Sequence, residues 1–379
     1  MEVACASRVP RSSGGAHARH ARAGRRAWAT LLAGAPWLAA AAAPLAAYNV
    51  DPANVSISGM SSGGYVAMQM AVAYSSVFRG VGVVAGGPYD CARQALISEC
   101  SAGAAPDVSP AVANARGWSG NEIDDVAHIA GQRVYVVDGS LDVVTGPSVA
   151  RQVQAFYVQG GFLPAARVKV DTVDAAGHTF PTNFDAAGNT ACGISAEPFI
   201  SNCRFDAAGA LLQWIHGALK PPAASGAAGR LLSFDQSPFA APGIGMDTTG
   251  LVYVPTRCAA GERCALHVAL HGCYQGQSWI GRKFATNSGY ARWADANDII
   301  VLFPQAKVDF VPHWTPANGL LNNVEGCWDW IGWYGNDYDQ KSGAQLRAIR
   351  AMIQQVEGEG TSGASRRRPH AEAPSAPRP

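Results

Sequence analysis

Gly59-Met60-Ser61-Ser62-Gly63 places a serine between two glycines directly after the apolar run Val55-Ser56-Ile57. This spacing fits a strand that turns sharply into a helix and lifts a serine hydroxyl out of the turn, with glycines where side chains would obstruct it. The chemistry open to such a serine is acyl transfer at an ester-type carbonyl. In a chain of 379 residues with 42 glycines the pentapeptide alone carries little weight, so its meaning rests on the groups that would serve it. A serine hydroxyl is a poor nucleophile unless a histidine takes its proton and an acid holds that histidine's tautomer.

Both partners are expected after later strands. Arg133-Val134-Tyr135-Val136-Val137 reads as a buried parallel strand, and Asp138-Gly139-Ser140-Leu141-Asp142 follows as a polar turn at its carboxyl end. Asp138 continues the strand directly, whereas Asp142 lies out in the loop where a carboxylate reaches across to a neighbour, so Asp142 is the favoured acid. Arg167 to Val173 alternates as a strand with one wetter face and leads into Gly177-His178-Thr179-Phe180-Pro181, which makes His178 the candidate base. The order Ser61, Asp142, His178 is that of α/β-hydrolases. His128, His216, His267 and His313 lack such a setting and read as structural or surface groups.

A tetrahedral intermediate also needs N–H donors aimed at its oxygen. One is expected from Ser62, the residue after the nucleophile, and the other from a His-Gly type loop that ordinarily precedes the nucleophile in the chain. Here that loop comes about two hundred residues later, where Leu266-His267-Val268-Ala269-Leu270 runs into His271-Gly272-Cys273, so Cys273 is the second candidate donor. Around it lie further strand candidates, Leu231 to Phe234, Gly250 to Val254 and Ile299 to Pro304, and a helix candidate from Ala344 to Ile353. Read from about residue 230 to the end and then from Tyr48 onward, the order becomes that of a standard α/β-hydrolase. The expected fold is therefore a circularly permuted α/β-hydrolase with a mostly parallel sheet, its old junction near residues 220–230. The alternative for Lys220-Pro221-Pro222 to Gly229 is a linker between two domains, but neither half alone holds both the triad and the second oxyanion donor.

The ends of the chain read differently from its middle. Six arginines from Arg8 to Arg26 precede an uncharged Ala/Leu-rich stretch from Ala27 to Ala47, the pattern of a signal peptide over residues 1–47 with cleavage near Ala43 to Ala47. Arg25-Arg26 fits an ordinary basic leader better than a twin-arginine signal. Gly34, Pro36 and Pro44 argue against a permanent membrane span. Residues 358–379, with Arg366-Arg367-Arg368-Pro369, cannot bury a core and are expected to form a disordered tail behind a single catalytic domain over residues 48–357. Without the two ends, residues 48–360 hold 19 Lys/Arg against 26 Asp/Glu, a poor balance for binding nucleic acid. Cys5 leaves with the leader, and the remaining eight cysteines suit disulfides in an exported protein. Closeness in sequence pairs Cys91 with Cys100, Cys192 with Cys203 and Cys258 with Cys264, leaving Cys273 for Cys327. A zinc site would need spacings such as C-x-x-C, and none occurs, so neither metal nor cofactor is expected.

Taken together, Gly59 to Gly64, Gly139-Ser140-Leu141-Asp142, Gly177 to Pro181, His271-Gly272-Cys273 and Gly326-Cys327-Trp328-Asp329-Trp330 resemble the secreted polyhydroxybutyrate depolymerases whose lipase box lies near the N-terminus. The resemblance covers about residues 48–355. It implies a permuted α/β-hydrolase with Ser61, Asp142 and His178 as triad and the Ser62 and Cys273 N–H groups as oxyanion hole. Many bacterial members continue into a separate polymer-binding domain, whereas this chain resembles the single-domain members, which leaves crystalline granule, amorphous polymer and soluble oligomer all open as substrate. The cluster Trp328, Trp330, Trp333 and Tyr334 would stand beside the reacting carbon through a Cys273–Cys327 bond. At least one of Trp328, Trp330 and Trp333 is expected to line the cleft, with Tyr65 a weaker candidate. The expectation is an exported, extracellular or periplasmic, monomeric serine esterase acting on a polyester or oligoester. It is not expected to stay in the membrane once the leader is removed. The rivals are a feruloyl or acetyl carbohydrate esterase, a serine peptidase and a non-catalytic polymer-binding protein.

Overall fold

A computed structural model describes residues 42–222 and 226–358. The expected leader up to residue 41 and the expected tail beyond 358 lie outside the described residues. Nine strands form one sheet: β1 (Ala43–Pro44), β2 (Val50–Met60), β3 (Gly80–Val84), β4 (Arg133–Gly139), β5 (Val168–Val173), β9 (Arg230–Asp235), β10 (Thr249–Val254), β11 (Cys264–Leu270) and β12 (Ile299–Phe303). Their spatial order is β1-β9-β10-β12-β11-β2-β3-β4-β5. From β12 to β5 every pairing is parallel, while β10 runs antiparallel to both β9 and β12.

Two-sided burial explains the sequence of the central strands. β3 and β12 are buried at every position, and alternate residues enter two cores on opposite faces of the sheet. Ile57, Val83, Val136 and Val268 face the helices Ser62–Ala73 and Ala344–Val356, whereas Val84, Val137, Ala269 and Val301 face the helices Ala207–His216 and Tyr290–Ala296. Every residue of the helix Ser62–Ala73 is buried, which is why its sequence is apolar all round rather than striped. Edge strand β5 is part exposed, matching its alternating pattern.

Strands from both sides of residues 220–230 join in this one sheet, with β11 paired directly to β2 from Leu266↔Val55 to Leu270↔Gly59. That register brings the end of β11 level with the glycine that opens the serine turn. The packed body also begins earlier than the boundary expected after residue 47. Ala43 and Pro44 pair with Phe234 and Asp235, Leu45 is buried, and Gln355 donates to the Leu45 carbonyl.

Three shorter strands, β6 (Phe180–Thr182), β7 (Thr190–Ala191) and β8 (Ile200–Asn202), form a small parallel sheet, and β13 (Asp309–Thr315) with β14 (Gly319–Asn323) forms a hairpin. Among the described residues no helix is long and apolar enough to cross a membrane. All four expected disulfides are present: Cys91–Cys100, Cys192–Cys203, Cys258–Cys264 and Cys273–Cys327.

Candidate active site

Ser61 stands between β2 and the helix Ser62–Ala73 with φ 53° and ψ −123°, a backbone region that L-residues seldom occupy. Its N–H donates to the Val84 carbonyl at 2.9 Å, and its own carbonyl accepts from Gly64 and Tyr65. The flanking glycines are steric necessities: a Cβ at Gly59 would overlap the Gly63 carbonyl, and one at Gly63 would overlap the carbonyls of Leu270 and His271. The turn is thus pressed against the end of β11. Ser62 opens the helix, so its N–H belongs to the first turn, where backbone donors lack intrahelical partners and the helix dipole favours negative charge.

Asp142 lies three residues beyond the end of β4. Its Oδ1 accepts the N–H groups of Val144 at 2.8 Å and Thr145 at 3.0 Å, and its Oδ2 meets His178 Nδ1 at 2.9 Å. Both side chains are nearly enclosed. Burial pushes the Asp142 carboxyl up, but the His178 ring and the two N–H donors outweigh it and hold its pKa below the usual value. With Asp142 accepting at Nδ1, the neutral ring leaves Nε2 as its acceptor. The rival Asp138 is buried in the strand end and forms no ion pair among the described residues, and burial pushes its carboxyl pKa up. His178 follows β5, with its backbone N–H on Ser195 Oγ at 2.8 Å.

The turn after β11 closes on the serine. Gly272 sits so near Ser61 that an added Cβ would lie 3.1 Å from the Ser61 Cβ. Ser61, Ser62, Cys273, Tyr65, Trp330 and Trp333 line one cavity of about 370 Å³, whose wall also includes Val144 and Thr145. The acid turn and the serine turn hang from consecutive carbonyls, since Thr145 Oγ1 donates to Ala85 O while Ser61 N–H donates to Val84 O.

The aromatic cluster divides. Trp330 and Trp333 line the cavity, and the Tyr65 ring packs on Trp330 at 4.4 Å while its hydroxyl donates to the Cys100 carbonyl. Trp328, expected as a possible cleft residue, is instead wholly buried against the His271 ring, with 5.3 Å between centroids, and does not line the cavity. The cause is Asp329. Its buried carboxylate accepts the N–H groups of Gly332, Trp333 and Tyr334, coiling the chain so that Trp328 packs into the core while Trp330 and Trp333 reach the cavity. Burial pushes the Asp329 pKa up to about 6 despite those donors.

Sequence reading assigned no role to Asp329, Thr145 or Gln275. Asp329 stands inside a quoted motif and Thr145 and Gln275 two or three positions beyond one, as polar residues that composition does not distinguish from any loop. The other histidines sit as read. His267 and His216 share buried hydrogen bonds with Ser56 Oγ, His313 pairs with Asp309, and His128 is exposed.

No protein-family model matches the chain. It is 47% identical over 332 residues to a polyhydroxybutyrate depolymerase of Talaromyces funiculosus, covering 87% of this chain and 96% of that protein. It is 40% identical over 332 residues to a poly(3-hydroxybutyrate) depolymerase of Delftia acidovorans, covering 85% of this chain and 63% of the relative. Among solved structures it resembles a PHB depolymerase from Penicillium funiculosum, with a TM-score of 0.81 at 47% identity over 83% of this chain and 99% of that one. A PHB depolymerase solved in complex with an R3HB trimer matches with the same score, identity and coverage.

Proposed function

The chain belongs to the polyhydroxybutyrate depolymerases, carboxylic ester hydrolases, and from that premise we propose that it is an exported serine esterase cleaving poly(3-hydroxybutyrate) or its oligomers through an acyl-enzyme. In this reading Ser61 attacks the ester carbonyl and His178 Nε2 accepts its proton, while Asp142 holds the ring through Nδ1. The N–H groups of Ser62 and Cys273 receive the developing oxyanion. His178 then returns the proton to the departing hydroxyl end, and water releases the acyl part by the same route in reverse.

The observation that carries the reading is the position of Asp142. It pairs with His178, and the two residues whose N–H groups it accepts, Val144 and Thr145, line the same cavity as Ser61. A polymer substrate is supported by the apolar surface beside that cavity. Phe310, Val311, Trp314 and Leu320 stand exposed on the β13–β14 hairpin, whose last strand runs into the cavity wall at Leu321 and Asn322. Trp330 and Trp333 offer apolar contacts to a neutral ester chain, with no charged clamp required.

We further propose that the chain order is a circular permutation joined near residues 220–230. Support comes from β11, which lies beside β2 in the sheet, and from β12 on its far side, both following β2 by about two hundred residues in the chain. Four disulfides support export to an oxidising compartment by a leader within residues 1–47, and the buried Leu45 favours a mature chain that retains it.

Ser61→Ala should leave circular dichroism and thermal unfolding unchanged and lower turnover of a short chromogenic ester by roughly 10⁴-fold or more. Retained turnover would refute the assignment. Offering amorphous polymer, native granules and soluble oligomers in parallel then identifies the preferred form.

A further inference from the structure

The two loops that hold the reacting groups come from distant parts of the chain. His178 follows β5 and the Cys273 donor follows β11, at opposite sides of the serine strand. One buried side chain spans them. Gln275 Oε1 accepts the Gly272 N–H at 2.7 Å, while its Nε2 donates to the carbonyls of Pro198 at 2.9 Å and Phe199 at 3.1 Å. The Phe199 carbonyl also accepts the N–H of Phe180, two residues after His178, and the Phe199 ring meets the His178 ring edge-on at 6.1 Å. Gln275 is 1% exposed and spends its amide entirely between the two loops.

On the oxyanion side, both peptide units around Gly272 are fixed by side chains. Gln275 holds the amide before Gly272. The carbonyl after it accepts the His271 Nδ1–H at 2.7 Å, and His271 Nε2 in turn accepts the Ala306 N–H at 3.1 Å. A trans peptide points its C=O and N–H in opposite directions, so a fixed Gly272 carbonyl fixes the direction of the Cys273 N–H. Burial pushes the His271 pKa down to about 4, in keeping with a neutral ring that uses one nitrogen as donor and the other as acceptor.

We propose that Gln275 is a positioning residue for ester hydrolysis: its amide holds the turn bearing the Cys273 N–H in register with the segment bearing His178. The proposal rests on the triad and oxyanion assignments above. It specifies how the second donor and the base keep their mutual distance although no strand pairing joins their loops. Rate is sensitive to such placement. A displacement of about 1 Å costs on the order of 100-fold, and loss of one oxyanion donor about 10²- to 10³-fold.

The test uses the full chain with Gln275→Met, which keeps length but removes every side-chain hydrogen bond, and Gln275→Glu, which keeps the acceptor for Gly272. A fluorophosphonate that labels the reactive serine gives the concentration of competent enzyme, so kcat is expressed per labelled site. On a short chromogenic ester, Gln275→Met should lower kcat per labelled site about 10- to 100-fold with KM within about twofold. It should weaken inhibition by an alkyl boronic acid, which forms a tetrahedral anion on the serine, by a similar factor. Gln275→Glu should fall between this variant and the parent. A purely structural role would instead reduce the labelled fraction and leave kcat per site and the boronate constant unchanged, overturning the proposal, as would failure of both variants to fold. If the parent enzyme itself is not labelled at Ser61, the catalytic reading fails; if it is labelled and Gln275→Met matches it, only the positioning role fails.

Discussion

At the scale of single residues, Ser61 is held in a backbone conformation that costs roughly 1–3 kcal/mol, and the fold supplies the restraint through Val84, Gly64 and Tyr65. Two tryptophans that are equivalent in composition differ completely in setting. Trp328→Ala should create a void in the core and cost about 3–5 kcal/mol, visible as a large fall in Tm. Trp330→Ala, at the cavity wall, should shift Tm much less and raise KM for a hydroxybutyrate trimer about tenfold while changing KM for a one-unit ester little. Equal effects of the two substitutions on Tm would refute this division. Nothing in Trp328-Asp329-Trp330 distinguishes the inner from the outer ring, because the choice is made by three N–H groups converging on the Asp329 carboxylate.

At the scale of elements, the turn after β11 is held from outside as well as from within. The Cys273–Cys327 bond spans 54 residues and ties the turn to the segment that carries Trp328 and Trp330. Replacing both cysteines with serine keeps the backbone N–H at position 273, so a fall in kcat of the folded enzyme reports the position of the proposed oxyanion donor. The expected outcome is a stability loss of about 2–4 kcal/mol in denaturant unfolding together with a several-fold fall in kcat. An unchanged kcat would show that the turn keeps its place through Gln275 and His271 alone. The strand leading into this turn was legible as an apolar run, as were β4, β9, β10 and β12, and β5 was legible by its alternation. Strand β3 was not, since Gly80-Val81-Gly82-Val83-Val84 alternates glycine with valine and gives no continuous apolar run, and only in the fold do Leu211 and Ile215 cover the glycines. The hairpin lacks apolar periodicity because it buries little on either face, and the β6–β8 sheet because its strands are only two or three residues long.

At the scale of the whole molecule, a hydrogen-bonded chain runs from Tyr290 through Ser58, His267 and Ser56 to His216, joining the central strands to helices on one face. Burial pushes His216 down to about 4 and His267 well below its usual value. The unfolded chain therefore takes up protons below about pH 6.5 that the folded chain refuses, so these residues draw stability down as pH falls from about 6.5 to about 4. His216→Gln should flatten that acid slope of unfolding free energy by up to about 1.4 kcal/mol per pH unit, measured by denaturant titration across this range. A slope identical to the parent's would refute a neutral buried His216. The sequence alone pointed to the serine turn, the acid and base candidates, the parallel strands and three of the cysteine pairings, because each follows from local sterics, short separation or two-sided burial, and the Cys273–Cys327 pair was what those three left over. Only the tertiary structure decided that Trp328 turns inward, that Leu45 belongs to the core and that Gln275 spans the two loops. Those choices depend on which backbone groups from distant segments lie within hydrogen-bonding reach, and that proximity exists only once the sheet has assembled.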